Sequence, residues 1–555
     1  SNLKCSVEIS SSCIVSEDRY HPSLDISIEV KNKTLKYFPR SKISQSLNFR
    51  KANFPLLYQS LCTVNWSFLK DKTDVEDACD SFYDVLVNLF GKYVPHVNVK
   101  RYHSYPPWFT SEIIEAIRKK STYRTKFKMY RSQYYLDLFK SYRSKIKSLI
   151  TKAYKSYIED IQSNLLNNPK KFWGFVQQRK GTSRIPGIMH YNDHTLSTPE
   201  TIVDSFNQYF CSVFTDSNST GLNSVSVDCN VNFSIDIDYI SREEILDTLH
   251  HCKNSFTAGS DGIPSFFLKD TGSVLVEPLL HIFNLILKTS SFPSIWKKSI
   301  ICPILKKGDV RLIQNYRPIS LLCNFAKVLE TILHKRIYTS VKQSISPFQH
   351  GFMKKRSTTT NLMCFTQDVS EILDDNGQVD VIFTDFQKAF DQIDHFILLK
   401  KLRLMGFSNS MVQLFSSYLI GREQRVRYQN HLSKSSVPTS GVPQGSNLGP
   451  LLFLIFINDL PNLLLNRKLL FADDLKIYAK ITSVDDCLQL QEDINILINW
   501  CLRNRLTLNI LKCIVMSFTR KLKPIVFTYS MGTSKLKRTD IYKDLGVIYD
   551  MKLSF

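Results

Sequence analysis

Leu469-Leu470-Phe471-Ala472-Asp473-Asp474-Leu475-Lys476-Ile477-Tyr478 sets two adjacent carboxylates between apolar, strand-forming residues. Side-by-side aspartates repel one another, and a tight turn between buried strands favours Asn-Gly or Asp-Gly instead. Phe471 and Ala472 bring no such turn chemistry, so Asp473 and Asp474 read as cation ligands. The alternative is a solvated hairpin tip, since Asp is common in turns. A second carboxylate upstream favours the metal reading. Val379-Asp380-Val381-Ile382-Phe383-Thr384-Asp385 is an apolar run with β-branched residues, a buried strand presenting Asp385 at its C-terminal end. Two such strands in one sheet would let Asp385 and Asp473 share two divalent cations, which stabilise the attacking and leaving oxygens of phosphoryl transfer.

The residues around this pair extend the chemistry. Phe390 stands five positions after Asp385, where a bulky ring beneath an incoming sugar excludes a 2′-hydroxyl; a core aromatic is the alternative. Asp391, Asp394 and His395 read as helix-start and surface groups. Ser440-Gly441-Val442-Pro443-Gln444-Gly445-Ser446-Asn447-Leu448-Gly449-Pro450 lies between the two Asp strands and precedes an apolar helix. Its glycines allow a backbone to approach a ligand closely, and Gln444 can bond a base edge or sugar. Ile301 to Asp309 is a strand entering a basic turn, with Asn315 to Ser320 as its return. Arg317 suits a triphosphate because guanidinium grips phosphate oxygens in pairs, with Lys306 or Lys307 assisting or remaining surface lysines. Lys512 would protonate a pyrophosphate leaving group, or is structural.

Composition narrows the class. The chain has 555 residues, enough for two to four domains. With 72 Lys and Arg against 50 Asp and Glu, its net charge of +22 favours a polyanionic partner, nucleic acid first. No segment reaches the ~20 uninterrupted apolar residues of a membrane span, and Leu451 to Ile457 reads as a core helix. The 13 cysteines form no Cys-x-x-Cys pair, which argues for a reducing compartment and against a zinc knuckle. The chain begins Ser1-Asn2-Leu3 without a signal-peptide pattern, so we expect it to start inside a larger protein.

Along the chain, residues 1–35 are β-rich, with Cys13-Ile14-Val15 and Leu24 to Val30 as strand candidates. Residues 36–235 form a mostly helical basic linker region. Between Arg118 and Asp160 there are 13 Lys or Arg and three acids, interleaved with tyrosines. These would neutralise phosphates and stack on bases, unless the aromatics form a packing seam. Asp216 to Asn232 is a Ser/Asn-rich loop or linker, and the remainder is α/β.

Taken in order, these segments resemble the reverse transcriptase of non-LTR (LINE-type, Jockey/CR1-like) retrotransposons. Ala258 to Pro264 resembles the segment before the fingers, and Asn315 to Leu322, Gln349 to Phe352 and Arg356 to Leu362 resemble fingers motifs. The Asp385 segment, the Gly441 to Pro450 loop and Phe471 to Asp474 are similar to palm motifs A, B and C; Asn509 to Lys512 with Met516 resembles motif D, and Asp544 to Ile548 the primer grip. Ser16 to Pro22 is similar to the last catalytic segment of the endonuclease that precedes such polymerases, with Arg19 and Tyr20 intervening in the usual Ser-Asp-His triplet. The chain stops at Phe555, where the family continues into its thumb, so it resembles a fragment.

The resemblance implies an α/β (α+β) right-hand polymerase over residues 236–555. Its core would span about 285–551, with fingers at about 285–375, palm at about 376–540 and the start of the primer grip at 541–555. It implies two Mg²⁺ ions, with Mn²⁺ as a substitute, held by Asp385, Phe386, Asp473 and the auxiliary Asp474. Phe390, Gln444, Gly445, Arg317 and Lys306 would form the nucleotide site, and Lys354, Lys355 and Arg356 would touch nucleic acid. Met353 departs from the basic residue that many relatives carry after Gly-Phe. The partners implied are RNA template, DNA primer or target, dNTP and the element RNA as a ribonucleoprotein, with no membrane. Activity in the nucleus after a cytoplasmic ribonucleoprotein phase is inferred from the family. The rivals are an RNA-templated RNA polymerase, which Phe390 disfavours, and a catalytically silent nucleic-acid-binding product.

Overall fold

The computed structural model describes residues 5–9, 24–28, 46–97, 105–165, 172–176, 185–215, 234–429 and 431–554. The Cys13 to Val15 strand candidate, the Ser16 to Pro22 segment and the Asp216 to Asn232 linker lie outside these residues. The chain divides into two compact units, residues 1–45 with 98–185, and residues 46–97 with 186–555.

In the first unit, Cys5–Ile9 pairs antiparallel with Leu24–Ile28. Two helices, Ser111–Tyr130 and Gln133–Ser163, fold back on one another through Arg131, which takes a left-handed φ of 49°. Ile113, Ala116, Phe127, Leu136 and Ile146 are buried in this hairpin. Its aromatics pair with each other, Trp108 with Tyr154 at 5.1 Å and Tyr123 with Tyr142 at 5.3 Å. Most of them are therefore spent on packing, while every Lys and Arg from Arg118 to Lys155 except Lys120 is exposed.

The second unit joins residues on both sides of the first. Helix Val75–Tyr93, capped by Asp74, buries Ala78, Cys79, Phe82, Leu86 and Phe90 along one face. It packs on helix Gly272–Thr289, so residues 46–97, read in sequence as linker, belong to this unit's core. Gly272–Thr289 is long and apolar enough to cross a membrane by composition, but Leu275, Val276, Leu279, Ile282, Phe283 and Ile286 are fully buried in the core. Helix Gly449–Ile457 is likewise a core helix, as its sequence suggests.

Two sheets position the site. A four-stranded sheet runs in the order His431–Leu432, Glu423–Tyr428, Lys298–Leu305, Tyr316–Leu321. A five-stranded sheet runs Arg467–Phe471, Asp474–Lys480, Gln378–Thr384, Ile514–Thr519, Lys537–Arg538. Its central strand, Gln378–Thr384, is buried throughout. Alternation sends Val379, Val381 and Phe383 toward helix Thr358–Asp374 and Ile382 into the larger core on the other face.

Candidate active site

Register brings the carboxylates together. Leu475 pairs with Thr384 in an antiparallel ladder, so one further step sets Asp474 level with Asp385. Phe471 pairs with Asp474, leaving Ala472 and Asp473 as a two-residue turn. Asp385, Asp473 and Asp474 thus line one open cleft, together with Lys306, Arg317, Phe386, Phe390, Gln444, Gly445 and Lys512. These residues are spread over more than two hundred positions of sequence, and the cleft collects them all.

The charges in the cleft are unequally satisfied. Loss of solvent pushes the Asp474 carboxyl up to about 7, and the charges of Asp473, Asp544 and Asp385 add to the shift. Asp473 is raised too, by burial first, with Asp385 adding and Lys306 and Arg317 opposing. Lys512 Nζ donates to Asp385 Oδ2 at 2.9 Å, so its ammonium is engaged by a carboxylate. Arg317 lies opposite Ile304 on the neighbouring strand. The Lys306 ammonium is lowered by desolvation and by the charges of Arg317 and Lys512. Acids at the end of the five-stranded sheet thus share the cleft with cations of the four-stranded sheet.

This donor set fits divalent cations: three carboxylates on adjoining backbone, two of them raised in pKa, are relieved by added positive charge. Among the described residues, no group of three Asp, Glu, His or Cys side chains is arranged to hold a metal ion by itself. Phe386 has its ring in the core, 5 % exposed and edge-on to Trp500, so only its main chain is available to an ion. The backbone beside it is fixed by Asn509 N donating to Asp385 O and Gln387 N to Thr507 O, each at 2.7 Å.

Phe390 is both a packed and a lining residue. Its ring stacks on Phe453 at 4.6 Å and meets the edge of Phe352 at 6.0 Å. Phe352 also lines the cleft and was not picked out from sequence; nor was Lys388, whose ammonium sits 5.1 Å from the Tyr209 ring.

Three sequence assignments change. Asp394 and His395 do start a helix, His395–Leu404, but Asp391 and Asp394 are not surface groups, at 7 % and 5 % exposed. Asp391 accepts from Gln444 Nε2 on both oxygens, at 2.8 and 2.9 Å. Asp394 caps its helix through Ile397 N and pairs with Arg505 at 2.8 Å, while His395 Nε2 lies 2.7 Å from Gly441 O. Second, Gly441 serves close backbone packing, and Gly445 does so while also lining the cleft. A Cβ on Gly441 would lie 2.7 Å from Asp391 O, and one on Gly445 2.7 Å from Ser320 O, with both glycines at positive φ. Third, Arg356 turns inward, its Nη1 donating to Pro347 O at 2.6 Å and Gln349 O at 2.5 Å. Lys354 covers the Tyr338 ring at 5.4 Å, and Lys355 is exposed; none of the three lines the cleft.

The Ile541–Asp544 and Val547–Asp550 hairpin is tied to the catalytic strand by a buried ion pair, Lys476 with Asp544. Asp261, in the Ala258 to Pro264 segment, is likewise structural, accepting from Tyr83 OH at 3.0 Å and Cys323 Sγ at 2.8 Å.

Comparison with known proteins agrees with this geometry. Residues 304–548 match the family model described as reverse transcriptase (RNA-dependent DNA polymerase). A probable RNA-directed DNA polymerase from transposon BS of Drosophila melanogaster is 31% identical over 60% of this chain and 38% of its own length. The RNA-directed DNA polymerase from mobile element jockey of Drosophila funebris is 32% identical over 57% of this chain and 36% of its own. The match thus spans less than two-fifths of these relatives. Among solved structures, apo telomerase from Candida tropicalis aligns over 47% of this chain and 54% of its own, at 12% identity and a TM-score of 0.33. Residues 304–548 are therefore similar to a reverse transcriptase domain, and the relatives that match them include the RNA-directed DNA polymerases of transposon BS and of the mobile element jockey.

Proposed function

We propose that the chain performs RNA-templated DNA synthesis for a non-LTR retrotransposon. The observation that carries this reading is the register of the palm sheet, which sets Asp474 level with Asp385 and puts Asp473 in the intervening turn, facing Arg317 and Lys306 across the cleft. The primer 3′-hydroxyl attacks the α-phosphate of a dNTP, forming a phosphodiester and releasing pyrophosphate. Reverse transcriptases generally use divalent metal ions, and here Asp385 and Asp473, with Asp474 as auxiliary, would hold two Mg²⁺ or Mn²⁺. Ions so bound supply charge stabilisation to both the entering and departing oxygens. Arg317 and Lys306 grip the triphosphate; Lys512 gives up its Asp385 contact and donates a proton to the leaving pyrophosphate. Gln444 and Gly445 line the nucleotide pocket, and Phe390 lies where a ribose 2′-hydroxyl would project.

The exposed cations of the Ser111–Ser163 hairpin support binding of the element RNA through phosphate contacts rather than base stacking. Nicked chromosomal DNA as the primer, and hence action in the nucleus after ribonucleoprotein assembly, completes the proposal. Primer extension on poly(rA)/oligo(dT) with Mg²⁺ tests it, comparing the chain with Asp473→Asn. Extension by the native chain alone is expected. Equal extension by both removes Asp473 from the chemistry, and extension by neither favours a nucleic-acid binder without activity.

A further inference from the structure

The turn that carries Asp473 is built on a residue ill suited to it. Ala472 has a φ of 58°, a left-handed conformation that costs an L-residue roughly 1–2 kcal/mol. Hairpin turns of two residues usually place Asn or Gly at such a position. Ala472 is also 6 % exposed, so its amide and carbonyl need partners within the protein.

One side chain supplies them. Gln349 is 2 % exposed. Its Oε1 accepts from Ala472 N at 2.9 Å and from Gly351 N at 2.8 Å, while its Nε2 donates to Ala472 O at 3.3 Å. The loop around it is fastened to the adjacent strand: His350 N donates to Leu470 O at 2.8 Å, and Leu470 N to Phe348 O at 2.9 Å. Gly351 completes the fit, because a Cβ there would lie 2.1 Å from Ala472 N. A loop of the fingers motifs thus grips both polar groups of the residue before the catalytic aspartates.

We infer that Gln349 is a positioning residue, whose amide holds the Ala472–Asp473 turn in its left-handed form and thereby sets Asp473 and Asp474 opposite Asp385. Gln349 touches neither nucleotide nor ion; it acts through the turn. The inference rests on the proposed role of Asp473 and Asp474, and goes beyond it by assigning what preorganises them. Leaving the buried Ala472 groups unpaired costs ~1–3 kcal/mol, which as misplacement of the carboxylates corresponds to a ~5- to 150-fold loss in turnover.

The test compares the native chain with Gln349→Met, which fills the same space without polar atoms, and Gln349→Glu, which keeps an acceptor for the Ala472 and Gly351 amides. Free Mn²⁺ is followed by electron paramagnetic resonance during titration, and primer extension gives kcat and the KM for dTTP. Gln349→Met is expected to weaken Mn²⁺ binding and to lower kcat by about 5-fold or more, with the KM for dTTP moving less than about twofold. Gln349→Glu should fall between Gln349→Met and the native chain in kcat. Should Gln349→Met not fold, Gln349→Glu carries the test alone, with reduced Mn²⁺ affinity and kcat expected. Native Mn²⁺ affinity and kcat in the folded variants, with the native chain active, overturn the Gln349 assignment alone. A native chain that neither binds Mn²⁺ nor extends primer overturns the proposed function itself.

Discussion

Asp391 gives the most quantitative handle on the nucleotide side of the site. It lies 7 % exposed behind Phe390 and accepts both Gln444 bonds. Burial pushes its carboxyl from 3.8 up to about 6, opposed by the Gln444 hydrogen bond and the charges of Lys388 and Arg317. The folded pKa is thus above the unfolded one, so folding favours the protonated acid. That contribution is fully present below about pH 3.8 and is lost as pH rises through about 6. At 1.36 kcal/mol per unit, ionised Asp391 costs the fold on the order of 3 kcal/mol at neutral pH. Asp391→Asn keeps the size and remains neutral, so its stability relative to the native chain should rise by about 2.5 kcal/mol between about pH 4 and about pH 7.5. Urea unfolding across this range, followed through the buried tryptophans, measures the difference. A difference that is flat with pH, or that falls as pH rises, would refute the reasoning. Because Asn offers one acceptor oxygen in place of two, Gln444 also loses one of its bonds, and the KM for dNTP should rise at neutral pH.

Other perturbations separate chemistry from scaffolding. Phe390→Ala removes the ring beside the sugar position and should lower dNTP-over-rNTP selectivity by on the order of 10-fold or more; unchanged selectivity in single-nucleotide extension removes the gate assignment. Arg356→Ala breaks two charged hydrogen bonds and should destabilise the fold by about 1.5–3 kcal/mol while leaving affinity for RNA template nearly unchanged. A uniform loss of template affinity would return Arg356 to the nucleic-acid surface. Asp544→Leu leaves Lys476 as a buried unpaired charge and should cost about 3–5 kcal/mol. Adding Lys476→Met should recover most of that loss in thermal unfolding, and an additive double variant would show that the pair is not coupled.

The legible part of the site was its strands and their ends. Apolar β-branched residues leading to Asp385, and the same pattern flanking Asp473 and Asp474, are local signals, and antiparallel pairing does the rest. What the sequence hid depends on contacts between distant segments. Asp391 resembles a solvated helix start because its partner Gln444 is 53 residues away. Gly441 and Gly445 read as ligand-approach glycines, and their second role, close packing against Asp391 O and Ser320 O, has no local signal. Gln349 stands in a segment that resembles a fingers motif, but only the positive φ of Ala472, invisible to periodicity, gives its amide a purpose. The tyrosines of the basic hairpin could serve bases or packing, and their mutual contacts decide for packing in most cases.

The most direct test of the account is single-nucleotide extension of a DNA primer on a heteropolymeric RNA template, offering each dNTP in turn to the native chain and to Asp385→Asn. The native chain is expected to add only the deoxynucleotide complementary to the templating base, and Asp385→Asn none. Addition that ignores the template, or equal addition by Asp385→Asn, would contradict it.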